Sequence, residues 1–431
     1  MISQAQRRVA IIAGCRTPFL KSGTLYKNIT AIELGRAVVS ELVNRTELDL
    51  REIEQVIFGT VVPSIKAPNI AREVTLGAGL PASIPAHSVS RACATATQAI
   101  SDAAEKILTR QADTVIAGGA ESLSDPPILV GKHLRGALLE ANKAKSLSGK
   151  FKPFLKLRLK DLAPDIPAIA EPSTGLTMGQ SAEQMAKENH ISRQAQDQFA
   201  CRSHQRATTA LSTGIFASEV IHVLIPPKFQ LAASYDNGIR KDASIEALAK
   251  LPPVFDRKYG TVTAGNSSPL TDGAAAVLLM SEEKAKAVGY QPLGYLRAYA
   301  YAALAPWEQL LMGPAYAAPK ALEQARLTLK DIDLIEMHEA FAAQVLSNIQ
   351  AFESRKFAQE KLGREEPLGE VDWEKLNVYG GSIAIGHPFG ATGARLVITL
   401  LNELKRRNKQ YGLVTVCAAG AMGAAMVLER E

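Results

Sequence analysis

The chain has 431 residues, of which 47% are hydrophobic and 21% charged, enough for two core-sized domains or for one duplicated fold carrying a large insertion. That balance belongs to a globular protein and excludes a disordered or membrane-spanning one, and no uninterrupted apolar stretch approaches the ~20 residues a bilayer span needs. A net charge of +6 is mild for this length, fits an anionic ligand or surface, and comes with no nucleic-acid recognition motif.

The first third alternates strand-like runs (9–13, 55–62 and 113–117) with helix-periodic segments (31–45 and 94–110), the rhythm of parallel βαβ units. Arg7 and Arg8 precede an apolar run too short for a secretory segment. The four cysteines, Cys15, Cys93, Cys201 and Cys417, are too scattered for a disulfide framework and include no CxxC pair that would imply a metal. Free thiols in a cytoplasmic protein without a metal are expected.

From 123 to 255 the composition changes and the βαβ rhythm is lost, which predicts an inserted domain. Within it, residues 132–160 hold nine basic residues against one acidic, Glu140, with Leu and Phe interleaved. Such a run reads as a solvated basic face, as attraction to an anionic membrane surface, or as a dock for a partner subunit or the phosphates of a ligand. The rhythm returns in the last third, with a strand at 333–337, helices at 340–352 and 391–407, and strands at 413–417 and 424–429. Residues 353–375 read as a surface cap. Helix 93–110 followed by strand 113–119 matches helix 390–407 followed by strand 413–420, which predicts a duplicated α/β fold. Halves meeting about a pseudo-dyad would bring Cys93, His387 and Cys417 to one cleft.

Cys93 lies in Ser90-Arg91-Ala92-Cys93-Ala94-Thr95, after an extended segment and at the start of an alanine-rich helix. A helix N-terminus offers unpaired N–H groups and partial positive charge, which favour a thiolate and an oxyanion alike. A free thiol is only a few per cent ionised at neutral pH, so a nearby base would complete its activation. His387 sits in a five-glycine segment, 380–395, before Pro388, which fixes the turn that aims its ring. That segment lacks the Lys-Ser/Thr ending and the GxGxxG register of phosphate loops. Cys417 ends a strand and is followed only by small residues, which leave room for a substrate. His338 closes another strand, the usual station of active-site groups in α/β folds. Taken singly, each also fits a structural role, as a buried thiol or a hydrogen-bonding histidine.

In combination and order these segments resemble the signature blocks of the thiolase family: Cys93 at its helix start, HEAFA at 338–342, GGSIAIGHPFGATGAR at 380–395 and CAAGAMG at 417–423. RTPF at 16–19, AGGAES at 117–122, GTVTAGNSS at 260–268 and TDGAA at 271–275 add to a likeness that covers nearly the whole chain. Most thiolases carry Asn where this chain has His338 and Met where it has Ala120. With SRACAT, HEAFAAQ and GNSSPLTDGAA, the chain is most similar to the β subunits of fatty-acid-oxidation trifunctional complexes, particularly the bacterial long-chain, anaerobic type.

The resemblance implies a duplicated thiolase fold, two βαβαβαββ halves in five α-β-α-β-α layers. Residues 1–122 with 256–285 would form the N-terminal half, 286–431 the C-terminal half, and 123–255 an inserted loop domain that binds CoA. It implies an acyltransferase of fatty-acid β-oxidation that cleaves 3-ketoacyl-CoA with CoA. Cys93 would be the nucleophile that carries the acyl group, His387 its proton acceptor and an oxyanion donor, Cys417 the acid and base, and His338 the anchor of an oxyanion-hole water. The backbone N–H groups of Cys93 and of Ala419, which stands where the family has Gly, would hold the tetrahedral oxyanion. Thr177, Met178, Ala264, Ser268, Ala340 and Phe341 fall where the family lines its CoA channel.

CoA is implied as substrate and no cofactor as permanently bound. The implied assembly is a homodimer joined by a hydratase/3-hydroxyacyl-CoA dehydrogenase α subunit (α2β2), with no nucleic acid. The alternatives are a biosynthetic acetoacetyl-CoA thiolase, a ketoacyl synthase of the same fold, which lacks a second catalytic cysteine, and a non-catalytic acyl-CoA- or lipid-binding protein.

Overall fold

A computed structural model describes residues 7–165 and 170–431; the first six residues of the expected N-terminal half and 166–169 of the expected insertion lie outside the described residues. The main body holds Met1–Asp125 and Ala170–Glu431, and Pro126–Ile169 form a second compact unit. The division is narrower than the expected 123–255 because helices α4 (Met178–Glu188) and α5 (Arg193–Ser212) bury Ala182, Met185, Ala200, Ala207 and Ala210 in the main body's core. Both helices also bury polar side chains, Glu183, Gln196, Asp197 and His204 among them, which hid that role in the sequence.

In the main body, strands β1 (Val9–Arg16), β2 (Gln55–Gly59), β3 (Ala86–Val89), β4 (Thr114–Glu121) and β5 (Thr271–Ser281) run in the spatial order β3-β2-β4-β5-β1. Strands β6 (Gly294–Ala303), β7 (Leu334–Met337), β8 (Tyr411–Ala418) and β9 (Met422–Glu429) run β7-β8-β9-β6. In both halves the first two pairings are parallel and the last two antiparallel, with the Ile335–Leu376 bridge taking the place of β2–β3. Identical pairing in the same chain order is what a duplication leaves behind. The halves join where β1 pairs β6.

Strand alternation decides the layers, because successive side chains point to opposite faces. Along β5, Ala274, Ala276, Leu278 and Met280 pack with Leu34, Val38 and Leu42 of α1 (Ala31–Thr46) in a cluster that also takes in Val74 of α2 (Ile70–Gly77), while Ala275, Val277 and Leu279 face the other way. That inner face meets α3 (Thr95–Leu108) and α8 (Thr392–Arg407), whose far side packs on Val414, Val416 and Met426. Beyond the second sheet face, Leu413, Ile335 and Val427 pack against α6 (Gly313–Ala325) and α7 (Ala342–Glu353). The result is five layers, α-β-α-β-α. The sequence reading missed β5 as a strand: it is buried on both faces, so it shows no apolar-polar alternation.

The second unit carries a two-stranded ribbon (Leu129–Val130 with Pro164–Asp165), a helix at Lys132–Lys143 and shorter turns of helix. All nine basic side chains of 132–160 are exposed. So are Leu155 and Leu159, at 84% and 89%. Among the described residues no helix is long and apolar enough to cross a membrane.

Helices α3 and α8 approach so closely that a Cβ added at Gly393 would lie 2.7 Å from Thr97 Cγ2 and 2.8 Å from its backbone nitrogen. Backbone cannot yield as a side-chain tip can. Gly393→Ala is therefore expected to destabilise the fold by about 1–3 kcal/mol through overpacking, read as a lower denaturant midpoint; an unchanged midpoint would contradict this crossing.

Candidate active site

Cys93 occupies the sharp turn between β3 and α3. Thr95 Oγ1 accepts from Arg91 N–H at 2.8 Å and donates to the Ala92 carbonyl at 2.7 Å, while Ala94 N–H and Thr95 N–H close on the carbonyls of Arg91 and Ala92 at 3.0 Å. The turn forces Ala92 to φ +45°, a left-handed conformation that costs a residue with a Cβ about 1–2 kcal/mol. That strain turns the Cys93 side chain to the start of α3, where no side chain caps the free N–H groups.

His387 Nε2 lies 3.1 Å from Cys93 Sγ. Its Nδ1 lies 2.7 Å from Thr392 Oγ1, and that hydroxyl donates to the Pro388 carbonyl at 2.9 Å. A hydroxyl has one proton. Having given it to Pro388, Thr392 can only accept from His387, so Nδ1 carries the hydrogen and Nε2 presents a lone pair to the thiol. The backbone is fixed by His387 N–H donating to Thr271 Oγ1 at 2.6 Å and by Gly386 at φ +116°, which only glycine adopts freely.

The electrostatics favour a neutral pair at rest. Burial pushes the Cys93 thiol up to about 12, although the N–H groups of Ala419 and of Cys93 itself reach the sulfur and oppose the shift. Burial also pushes His387 down to about 3, with the Arg395 charge adding to it. Desolvation penalises the charged form of each. Burial thus favours a neutral thiol beside a neutral imidazole, joined by a 3.1 Å contact along which a proton can pass from sulfur to nitrogen.

Cys417 ends β8 opposite Gly423, fully buried, with its thiol pushed up by burial and then by the nearby Cys93. His338 follows β7, lies 4.0 Å between ring centroids from His387 with the rings tilted by 48°, and has its Nδ1 2.8 Å from Ser382 Oγ. Its Nε2 is buried with no protein partner. Ligand atoms of Cys93, His338 and His387 fall within 4.8 Å of one another, a spacing that could hold an ion; each already takes part in a hydrogen bond, His338 with Ser382 and Cys93 with His387.

Two buried carboxylates hold the loops that carry these groups. Glu121 accepts from Thr60 Oγ1 and from the N–H groups of Val61, Val62 and Gly390, all at 2.9–3.0 Å. Glu339 accepts from Ser203 Oγ, Asn377 Nδ2 and Ile383 N–H, and Ser203 Oγ accepts from Gly381 N–H in turn. The sequence reading gave neither carboxylate a role, nor Thr392, Ser382 or Arg395, although all lie inside the quoted motifs. Glu121 and Glu339 next to buried strands were the available signal.

Of the expected CoA-channel residues, Ser268 N–H donates to the Ala340 carbonyl at 2.9 Å, and segment 267–270 bridges Phe341 at one end and His387 at the other. Phe341 meets Phe255 edge-on at 6.1 Å. Thr177 caps α4, accepting from Gln180 N–H, and Glu183 on that helix accepts from Thr261 N–H and Val262 N–H, tying down the loop that bears exposed Ala264. Met178 packs against the same core as Phe341.

The pattern for the thiolase N-terminal domain matches residues 9–283, and that for the thiolase C-terminal domain matches 290–430. The chain belongs to the thiolase family. Among thiolases it is 54% identical over 431 residues to a 3-ketoacyl-CoA thiolase of Yersinia enterocolitica, covering 100% of this chain and 99% of that one. It is 54% identical over 424 residues to the 3-ketoacyl-CoA thiolase of Shewanella woodyi, covering 98% and 97%. Its fold is similar to the acetyl-CoA acetyltransferase of Bacillus anthracis (TM-score 0.85, 34% identity, 99% and 100% covered). It is also similar to human mitochondrial 3-ketoacyl-CoA thiolase in complex with CoA (TM-score 0.83, 31% identity, 99% and 98% covered).

Cys93 is the one cysteine of this thiolase that keeps some exposure; Cys15, Cys201 and Cys417 are buried. Iodoacetamide should label Cys93 first in the native protein, and His387→Ala should slow that labelling by removing the base. Peptide mass spectrometry would read both, and labelling of Cys417 at an equal rate would contradict the burial.

Proposed function

We propose that this thiolase is a 3-ketoacyl-CoA thiolase, an acetyl-CoA C-acyltransferase that performs the last, thiolytic step of fatty-acid β-oxidation. The observation that carries the mechanism is the 3.1 Å contact between Cys93 Sγ and His387 Nε2, with a second buried thiol, Cys417, close by. The two 54% identical relatives named 3-ketoacyl-CoA thiolase support the substrate class.

His387 takes the Cys93 proton as sulfur bonds to the 3-keto carbon. The C2–C3 bond then breaks, its electron pair leaving as the enolate of acetyl-CoA and the shortened acyl group staying on Cys93. Cys417 gives its proton to C2, releasing acetyl-CoA. It recovers a proton from incoming CoA, whose sulfur attacks the acyl carbon; the Cys93 thiolate leaves and regains its proton from His387. The N–H groups of Cys93 and Ala419 that reach the sulfur are suited to the tetrahedral oxyanion, and the unpartnered His338 Nε2 to the enolate oxygen. Thr177, Met178, Ala264, Ser268, Ala340 and Phe341 contribute to the CoA channel.

Mass spectrometry after mixing with an acyl-CoA should find an acyl adduct on Cys93, retained in Cys417→Ala although that variant fails at carbon–carbon cleavage. Cys93→Ser should lose both. An adduct on another residue, or near-normal thiolysis in Cys93→Ser, would sink the mechanism.

The trifunctional-type motifs support a homodimer that carries a hydratase/dehydrogenase α subunit in the cytoplasm. A second reading concerns the unit at Pro126–Ile169: its exposed basic side chains and exposed Leu155 and Leu159 suit peripheral contact with an anionic membrane, each Lys or Arg adding about 1 kcal/mol near such a surface. The protein is expected to float with phosphatidylglycerol vesicles and not with phosphatidylcholine ones, and Leu155→Asp with Leu159→Asp should weaken flotation while thiolysis persists. Absence of flotation with the anionic vesicles would end this reading.

A further inference from the structure

His338 and His387 face each other in one enclosed site, and burial is the first cause holding both rings neutral. A neutral imidazole carries its proton on one nitrogen only, and which one is set by what the other nitrogen bonds. For His387 the choice is made by Thr392. For His338 the neighbour is again a hydroxyl, Ser382 Oγ, 2.8 Å from Nδ1.

The third partner differs. Arg395 Nη2 donates to Ser382 Oγ at 3.1 Å, and a guanidinium can only donate. Were His338 Nδ1 also protonated, Ser382 would receive two hydrogens and its own would have no recipient, since its hydroxyl makes no other hydrogen bond among the described residues. Ser382 is fully buried, and a buried hydroxyl proton without an acceptor costs about 1–3 kcal/mol. The arrangement that satisfies every group has Ser382 donating to Nδ1, which leaves the hydrogen of His338 on Nε2. That nitrogen is the one without a protein partner. Arg395 is held in place by Glu336, which accepts from Nη1 at 3.0 Å, both side chains being buried.

We propose that Ser382, oriented by Arg395, is a positioning residue that fixes His338 as the Nε2–H tautomer and so presents its N–H to the enolate oxygen. The catalytic half of this rests on the reaction given under Proposed function; the tautomer does not. Thr392 and Ser382 then perform opposite tasks with the same functional group. One turns its histidine into a base, the other into a hydrogen-bond donor.

The test has two arms. In wild type, NMR of protein labelled with 15N-histidine, with His338 signals assigned by their loss in His338→Asn, should show a neutral ring protonated at Nε2; in Ser382→Ala the two tautomers should mix. Steady-state thiolysis by Ser382→Ala should show kcat lower by roughly 10- to 100-fold, less than the full loss of an oxyanion donor, with KM little changed. Cys93 labelling by iodoacetamide should stay normal, which would report an intact fold and an intact Cys93–His387 pair. Ser382→Thr, which keeps the hydroxyl, should recover most of the rate. A wild-type His338 protonated at Nδ1 would overturn the proposal whatever the activity. An Nε2–H tautomer unchanged in Ser382→Ala, or a kcat within twofold of wild type, would overturn the role of Ser382. Loss of Cys93 acylation in wild type would instead strike the reaction and leave the tautomer assignment standing.

Discussion

Everything at the site depends on the crossing of α3 and α8. Cys93 and His387 are 294 positions apart in the chain, one just before each helix, and they meet because Gly393 lets α8 approach to within contact of the Thr97 backbone. The same demand recurs at the neighbouring strand ends. A Cβ at Gly119 would sit 2.0 Å from the Gly390 carbonyl oxygen, and one at Gly390 would sit 2.6 Å from that of Ala120. Small residues there are a consequence of bringing two copies of one fold face to face, since each copy donates the start of its central helix.

Close packing of backbone creates a second problem, which the buried carboxylates solve. Loops packed against loops leave N–H groups without the strand or helix partners that normally satisfy them, and each unsatisfied group costs free energy comparable to a lost hydrogen bond. Glu121 collects three such N–H groups and Glu339 one, along with side chains that collect others. Burial raises the pKa of both, against hydrogen bonds that lower it. Their return is rigidity: Gly390 and Ile383 flank His387 in sequence, so the two carboxylates fix the segment that aims the base.

Much of this was legible because burial writes periodicity into sequence. The elements at 9–13, 94–110, 391–407 and 413–417 appear as Val9–Arg16, Thr95–Leu108, Thr392–Arg407 and Tyr411–Ala418, with errors confined to ends, where caps decide. Two kinds of feature were not legible. A strand buried on both faces, Thr271–Ser281, has no alternation to detect, and α5, Arg193–Ser212, looks polar because it buries Gln196, Asp197, Ser203 and His204 along with small residues. Among site residues, Cys93, His387, Cys417 and His338 are chemically conspicuous in small-residue surroundings, and the structure brings the first two into direct contact with the His338 ring beside them. Ser382 and Thr392 are ordinary hydroxyl residues. Their importance lies in which third group each one touches, and that is a property of three-dimensional neighbours alone.

The neutrality of the resting site explains why hydroxyls suffice to run it. In an enclosed, weakly polarisable site a permanent thiolate–imidazolium pair would have to be sustained against desolvation through every idle moment. A neutral thiol beside a neutral imidazole avoids that cost, but then nothing in the charges says which nitrogen should accept and which should donate. Direction has to come from hydrogen-bond geometry. A hydroxyl next to a carbonyl must spend its proton there and can only accept from the ring, as at Thr392; a hydroxyl next to a guanidinium must spend its proton on the ring, as at Ser382. In the reaction proposed above, charge arises on the His387 ring as it takes the proton and on the substrate at the oxygens and the carbon where donors and a thiol already stand, so the electrostatic stabilisation is met at the transition state and not before.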